Sequence, residues 1–116
     1  MNKRKSILFC YKEVCKLNSV ILEDKDVIYF KKLFKKVHEY VIDDDLINNT
    51  KHSKIFHMLF LSNKNIIYRR IGEIYYVSQQ TVRDCVSRFD KIAKKFMERD
   101  EVSYGALLFK LKSLLK

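Results

Sequence analysis

The sequence contains no proline and only two glycines, Gly72 and Gly105, among its 116 residues. Tight hairpins and turn-rich β-sandwiches depend on these residue types, so their scarcity argues against a fold built on antiparallel strands. The chain is rich instead in leucine, isoleucine and lysine, which helices accommodate well. We therefore predict an all-α protein, a compact bundle of five to six helices. At this length it fits one domain, residues 1–116, with a modest core.

Cysteines are few, and no long apolar run occurs. Cys10, Cys15 and Cys85 lack the spacing of metal ligands, and we expect buried free thiols in a reducing cytoplasm. No stretch approaches the ~20 apolar residues that cross a bilayer, and the run 7–10 is too short for a signal peptide. The composition predicts a cytoplasmic protein with no membrane partner.

Patterns typical of enzymes are also missing. The sequence has no glycine-rich phosphate loop, no nucleophile elbow and no paired catalytic carboxylates on a recognisable scaffold. His38, His52 and His57 lack the spacing of a helical chelate, and the aspartates 43–45 lack the glycine and distal glutamate of a calcium loop. We expect no enzyme, no metal site and no cofactor.

Acidic residues are in the minority, with 14 Asp and Glu against 24 Lys and Arg, which gives a net charge of +10. A polyanionic partner, either nucleic acid or an anionic membrane surface, is favoured by this balance. The excess is uneven: residues 64–99 carry nine basic and four acidic residues, whereas residues 23–50 carry five and seven. The basic excess therefore lies in the segment 64–99 and on the N-terminal Lys3, Arg4 and Lys5.

Hydrophobic periodicity divides the chain into N-terminal helices within 1–50, a central group within 53–98 and a last helix within 103–116. In the first part we predict helices over 4–22 and 24–42. The aspartates that follow are expected to break the second helix and to lead into a short turn around Leu46 and Ile47. The polar segment 48–53, NNTKHS, is then the best candidate for an exposed loop.

The later helices are more strongly patterned. A helix over about 53–62 is apolar around most of its circumference and should be central. The last helix, capped by Ser103, is predicted over about 104–115 and carries a leucine stripe. That stripe either closes the core or pairs with its counterpart in a homodimer, and the dimer is slightly favoured. The stripe consists of Leu107, Leu108, Leu111, Leu114 and Leu115.

The most informative stretch is Ile71–Phe89, IGEIYYVSQQTVRDCVSRF, which has the spacing of two helices joined by a short corner. Ser78 lies where the second helix needs an N-cap. The apolar positions of that helix recur every three or four residues as far as Phe96, so we predict that it runs to about residue 98. The polar residues then fall on the opposite face.

This stretch resembles region 4 of bacterial sigma factors and the stand-alone regulators built on it, including small phage-encoded activators of the RinA and ArpU type. The positions that carry the resemblance are Ile71-Gly72-Glu73, Val77-Ser78, Thr81-Val82 and Arg88. It extends over about residues 53–97. Two residues depart from the family pattern: Gly72 replaces an alanine, and Tyr76 replaces a turn glycine. Because a positive φ is disfavoured for a bulky residue, we expect the turn to differ in detail.

Two groups of side chains are suited to duplex DNA. Glutamine can pair with adenine and arginine with guanine from a helix in the major groove, and long cations beside that helix can bind phosphates. The predicted base-reading residues are Gln79, Gln80, Arg83, Asp84 and Ser87. The predicted phosphate contacts are Lys64, Arg69, Arg70, Thr81, Arg88 and Lys91.

The sequence therefore predicts a sequence-specific, double-stranded DNA-binding transcription regulator, with RNA polymerase as a further candidate partner. The alternative is a protein-interaction module, such as an RNA polymerase-binding or anti-sigma-like factor, that uses the same helices to bind protein. Steep salt dependence of duplex binding distinguishes the first function from the second.

Overall fold

The computed structural model describes residues 6–62 and 66–116, and all regular structure in these two segments is helical. A 3₁₀ turn, Ile7–Cys10, leads directly into the first α-helix. The α-helices are α1 (Tyr11–Val14), α2 (Ser19–Leu22), α3 (Lys25–Asn48), α4 (His52–Phe60), α5 (Tyr68–Tyr75), α6 (Gln79–Arg99) and α7 (Tyr104–Leu114). The all-α prediction is confirmed, although the described segments contain seven α-helices rather than five to six.

The core is centred on the aromatic ring of Phe56 in α4. Its centroid lies 4.8 Å from that of Phe60, 5.1 Å from that of Phe34 and 5.2 Å from that of Phe89. These rings come from α3, α4 and α6, so α4 is packed between the two long helices, as the sequence predicts. Aromatic pairs at these separations contribute about 0.5–1.5 kcal/mol each beyond their buried area.

The predicted break at residues 43–45 is wrong, because α3 continues through the aspartates to Asn48. Asp24 caps the start of α3 by accepting a 2.8 Å hydrogen bond from the backbone N–H of Asp26. Leu46 and Ile47 are helical and highly exposed, not part of a turn. The loop that we expected over 48–53 therefore shrinks to residues 49–51.

Asp45 explains why α3 tolerates the acidic run. Its carboxylate accepts the backbone N–H groups of His52 at 2.9 Å and Ser53 at 2.8 Å. It thereby caps α4, whose N-cap residue Lys51 makes no side-chain cap bond. Burial raises the pKa of Asp45, but the hydrogen bonds from Ser53, Thr50 and His52 outweigh it and leave the pKa below 3.8. The carboxylate is thus held charged at the start of α4.

The N-terminal part is not the single helix predicted over 4–22. It consists of the 3₁₀ turn, α1 and α2, and α2 has a separate start at which the Asn18 side chain accepts the N–H of Ile21 at 3.0 Å. Cys15 is exposed, so the expectation of three buried thiols is wrong for this residue, whereas Cys85 is buried and Cys10 is half-buried.

The Tyr104 hydroxyl joins this N-terminal part to α6 and α7. It accepts the backbone N–H of Ile7 at 2.8 Å and donates to Asp90 Oδ1 at 2.6 Å, and the Ser6 hydroxyl donates to the same Asp90 oxygen at 2.6 Å. Burial and the bond to Asp90 both raise the pKa of Tyr104, so the phenol stays protonated. The first described residues are therefore bonded to the last two helices.

The leucine stripe of α7 faces the core of its own chain. Ser103 caps the helix as predicted, accepting the N–H of Ala106 at 3.2 Å. Leu107 and Leu111 are buried, and the other three leucines of the stripe are half-buried. The stripe therefore contributes to the core of the chain, which is the first of the two expected roles, and a homodimer through α7 stays a prediction.

Candidate nucleic-acid interface

The connection between α5 and α6 consists of three residues, Tyr76, Val77 and Ser78. Tyr76 has φ 57° and ψ 43°, the left-handed conformation that we expected a bulky residue to disfavour. The N–H groups of Tyr76 and Val77 both donate to the carbonyl of Gly72, which closes α5 in the manner of a Schellman motif. The Tyr76 side chain is 93% exposed, so packing does not hold the residue in this conformation.

Gly72 permits the tight corner. A Cβ atom at this position would lie 2.5 Å from the Val77 carbonyl oxygen, closer than side-chain carbons approach backbone atoms. The alanine of the family pattern therefore does not fit this backbone without a shift. The departures at Gly72 and Tyr76 belong to one local structure, because both lie within the turn that places α6.

The start of α6 is fixed by the predicted cap. Ser78 Oγ accepts the backbone N–H of Thr81 at 3.0 Å and lies 2.9 Å from Thr81 Oγ1. The Thr81 hydroxyl, a predicted phosphate contact, is thus already hydrogen-bonded at the helix start. An N-cap bond of this kind contributes about 1 kcal/mol to stability.

The two sides of α6 have opposite roles near its N-terminus. Val82, Cys85, Val86 and Phe89 are buried, which fixes the rotation of the helix. The predicted base-reading residues all lie on the exposed side, and they are Gln79, Gln80, Arg83, Asp84 and Ser87. The exposure of these five side chains on one side of α6 agrees with the helical spacing of the sequence.

Three of these side chains are hydrogen-bonded to one another. Gln80 Nε2 donates to Asp84 Oδ1 at 2.9 Å, and Arg83 donates to Gln80 Oε1 at 3.3 Å. The Arg83 charge also acts on Tyr68: burial raises the pKa of Tyr68, and the guanidinium opposes that rise. Arg83 therefore lies near the start of α5, where Arg69 and Arg70 follow Tyr68 in the chain.

Arg88 has a different environment from the one predicted. Its guanidinium forms an ion pair with the Asp44 carboxylate of α3 and lies 2.8 Å from His52 Nδ1 of α4. Arginine nitrogens only donate, so His52 Nδ1 accepts this bond. The charge is already neutralised inside the protein and half-buried, which argues against its use as a phosphate contact. Arg88 fixes α6 to α3 and α4.

The remaining predicted phosphate contacts differ in their exposure and in whether they form an ion pair within the protein. Arg69 and Lys91 are exposed, and Arg70 is exposed but forms a 3.3 Å ion pair with Glu73. Lys64 lies outside the described residues. The structure adds Tyr76, whose exposed ring precedes α6 by two residues. The sequence pattern indicated only a turn at this tyrosine, although a bulky residue at a glycine position was a signal of a further role.

Comparison of the chain with family models, with curated proteins and with solved structures finds no match. Within the described segments, no helix has the length and apolar character needed to cross a bilayer. The same segments contain no group of three or more His, Cys, Asp or Glu side chains placed to hold a metal ion. The features of this chain that bear on function are therefore the geometry and the exposed side chains of α5 and α6.

Proposed function

We propose that the chain is a sequence-specific, double-stranded DNA-binding transcription regulator that uses α5 and α6 as a sigma region-4-like helix-turn-helix. The observation that carries the proposal is the exposed polar surface on the first turns of α6, opposite a face locked into the core. A recognition helix needs this combination, since its base-reading side chains must be accessible while its own orientation is fixed.

The chemistry of this surface matches the edges of base pairs in the major groove. Gln79 and Gln80 have amides that pair with adenine N6 and N7, and Arg83 has a fork that pairs with guanine O6 and N7. Asp84 can accept from cytosine N4. Gln80, Arg83 and Asp84 are hydrogen-bonded to one another in the absence of DNA, and base contacts would replace these bonds.

Phosphate binding is assigned to the exposed cations that flank this surface. Arg69 and Arg70 lie in the first turn of α5, and Lys91 lies three turns along α6 from its start. The N-terminus of α6 adds backbone N–H groups and a partial positive charge that favour an anion. Arg88 is assigned a supporting role, because it joins α6 to Asp44 of α3 and His52 of α4.

Selection of bound sequences from a random duplex pool tests this function directly. We expect one enriched motif, bound by the wild type with an affinity that falls steeply as salt rises. A scrambled duplex of the same composition is the control and should bind weakly. A pool without an enriched motif, or salt-insensitive binding to an RNA polymerase subunit without DNA binding, would overturn the proposal and favour the protein-interaction module.

A further inference from the structure

The outer face of α3 carries a line of exposed residues at heptad spacing. We call this line the outer seam; its members are Ile28, Lys32, Lys35, Glu39, Ile42 and Leu46. The intervals are four, three, four, three and four residues, the a and d spacing of a coiled coil. The opposite face of α3 is buried in the core, and the outer seam residues are all exposed among the residues that the structure describes.

The ends of the outer seam are apolar. Leu46 is 80% exposed, Ile42 40% and Ile28 41%, and the neighbouring Ile47 is 81% exposed. Exposed aliphatic residues in a helical line, as opposed to scattered ones, mark a surface that binds another protein. The core of the chain does not explain their presence on α3.

The middle of the outer seam is charged and unpaired. Among the described residues, neither an ion pair nor a hydrogen bond is formed by the side chains of Lys32, Lys35 or Glu39. Basic residues precede the midpoint at Val37, and an acidic residue follows it. Reversal of the outer seam about Val37 therefore brings Lys35 onto Glu39 and sets Lys32 against the uncharged Ile42.

We propose that two copies of this chain associate through the outer seam, with their α3 helices antiparallel. A twofold axis passing beside Val37 places Ile28 opposite the partner's Leu46 and Lys35 opposite the partner's Glu39. The same axis places Lys32 opposite the partner's Ile42, where the lysine stem covers the apolar side chain and the ammonium reaches solvent. Each contact occurs twice, as an isologous interface requires.

The charge pattern selects the antiparallel arrangement. In a parallel pair, equivalent residues face one another, so Lys32, Lys35 and Glu39 would each meet a like charge. Reversing one helix converts the two central layers into attractive Lys35–Glu39 pairs. From residue 28 to residue 46 the outer seam is about 27 Å long at 1.5 Å per residue, which is five helical turns. This length is enough for six stacked layers.

Charge reversal tests the pairing in the full chain. Sedimentation equilibrium of the wild type should show a dimer that dissociates on dilution. Lys35→Glu and Glu39→Lys should each weaken the dimer by about tenfold, because each places two like-charge pairs at the centre. The double variant Lys35→Glu/Glu39→Lys should restore association, since it exchanges the charges of the two paired positions and leaves each pair attractive. Circular dichroism verifies that each variant is folded.

Matched controls carry the same charge changes outside the outer seam. Lys116→Glu and Glu98→Lys lie at exposed positions beyond α3 and should dimerise like the wild type. A wild type that stays monomeric at about 1 mM overturns the proposal. A double variant that associates no better than the single variants also overturns it.

Cross-linking tests the orientation. In a Cys15→Ser background, the variant Ile28→Cys/Leu46→Cys should oxidise to a covalent dimer, because the two new thiols lie opposite each other across the twofold axis. Ile28→Cys alone should not, since antiparallel helices separate the two copies of residue 28 by roughly 27 Å. Efficient cross-linking of the single variant would overturn the antiparallel arrangement. The experiments require no DNA, so their outcome is independent of the function proposed for α6.

Discussion

The carbonyl oxygen of Val77 lies 2.5 Å from the place that a Cβ atom would take at Gly72. The peptide between Val77 and Ser78 thus packs against the backbone of α5, and this contact sets how closely α6 can follow the preceding helix. A hydrogen atom is the only side chain that fits at residue 72 without moving this peptide.

Gly72→Ala should therefore destabilise the protein, by about 1–3 kcal/mol, despite the better helix propensity of alanine. Gly105 is the matched control, because it is also helical but has open space around its Cβ position. Gly105→Ala should stabilise by up to about 1 kcal/mol. Urea unfolding measures both, and a shift of the same sign for the two variants would contradict the packing argument.

Tyr76→Gly should stabilise the protein, because the left-handed backbone conformation costs a residue with a Cβ atom about 1–2 kcal/mol and costs glycine little. Glycine's larger unfolded-state entropy offsets part of this gain, so we expect a net gain of about 0.5–1 kcal/mol. Tyr76→Ala keeps the strain and removes an exposed ring, so its stability should match the wild type. Equal stability of the two variants in urea unfolding would argue that the turn is not strained.

The starts of α6 and α7 were predictable, because a helix cap is a local structure. Ser78 and Ser103 each accept a backbone N–H three residues ahead, as the sequence indicated. The acidic run at 43–45 was misjudged for the opposite reason. Asp45 is stabilised by backbone groups seven and eight residues away, and Asp44 by a guanidinium 44 residues away. No local pattern contains these partners.

The exposure of side chains at the candidate interface was also predictable where it depends on local spacing. Helical phase alone predicted that Gln79, Arg83 and Ser87 lie on the exposed side of α6, because the apolar residues of the buried face recur every three or four positions. It did not separate Arg88 from the free cations, since an arginine on a polar face looks the same whether or not an acidic residue from another helix reaches it. Tertiary pairing decides which charges remain available to a ligand.

Arg88→Ala should destabilise the fold by about 1–2 kcal/mol, less than a fully buried ion pair because the side chains of Arg88 and Asp44 are 34% and 24% exposed. Lys91→Ala, at an exposed position on the same helix, should leave the stability unchanged within about 0.5 kcal/mol. A double-mutant cycle with Asp44→Ala isolates the pair in urea unfolding. Additive effects would show that the two side chains do not interact.

Arg83→Ala should lower affinity for the selected duplex by about 1–3 kcal/mol and relax base preference at one position, with little effect on random duplex. Arg69→Ala should instead weaken binding to both, and reduce the log–log salt slope by about 0.9. Fluorescence anisotropy at several salt concentrations measures both variants. An equal loss on both duplexes for Arg83→Ala would remove it from the base-reading group.

His38 should make the fold sensitive to mild acid. Its ring stacks on Phe56 at 4.9 Å, and burial, with a smaller contribution from His57, lowers its pKa below 6.5. The unfolded chain then binds the proton first, so stability is complete above pH 6.5 and is lost as pH falls from there towards the folded pKa.

The variant His38→Phe keeps an aromatic ring at this position but cannot titrate. Urea unfolding at a series of pH values should show a decline below pH 6.5 for the wild type and a flatter profile for the variant. The loss of the Asp45 cap occurs below pH 3.8 and does not overlap with this range. Identical profiles would assign the decline to another group.

The bonds of Tyr104 and Asp90 also impose an order on folding during synthesis. Ser6 and Ile7 find these partners 84 and 97 residues further along the chain. At 5–20 residues per second, a ribosome needs about 5–20 s to travel from Ile7 to Tyr104. Throughout that interval Ile7 and Leu8, which are fully buried in the folded protein, lack the contacts that α7 provides. Ser6 and Ile7 thus reach their native positions only after the ribosome has added Asp90 and Tyr104.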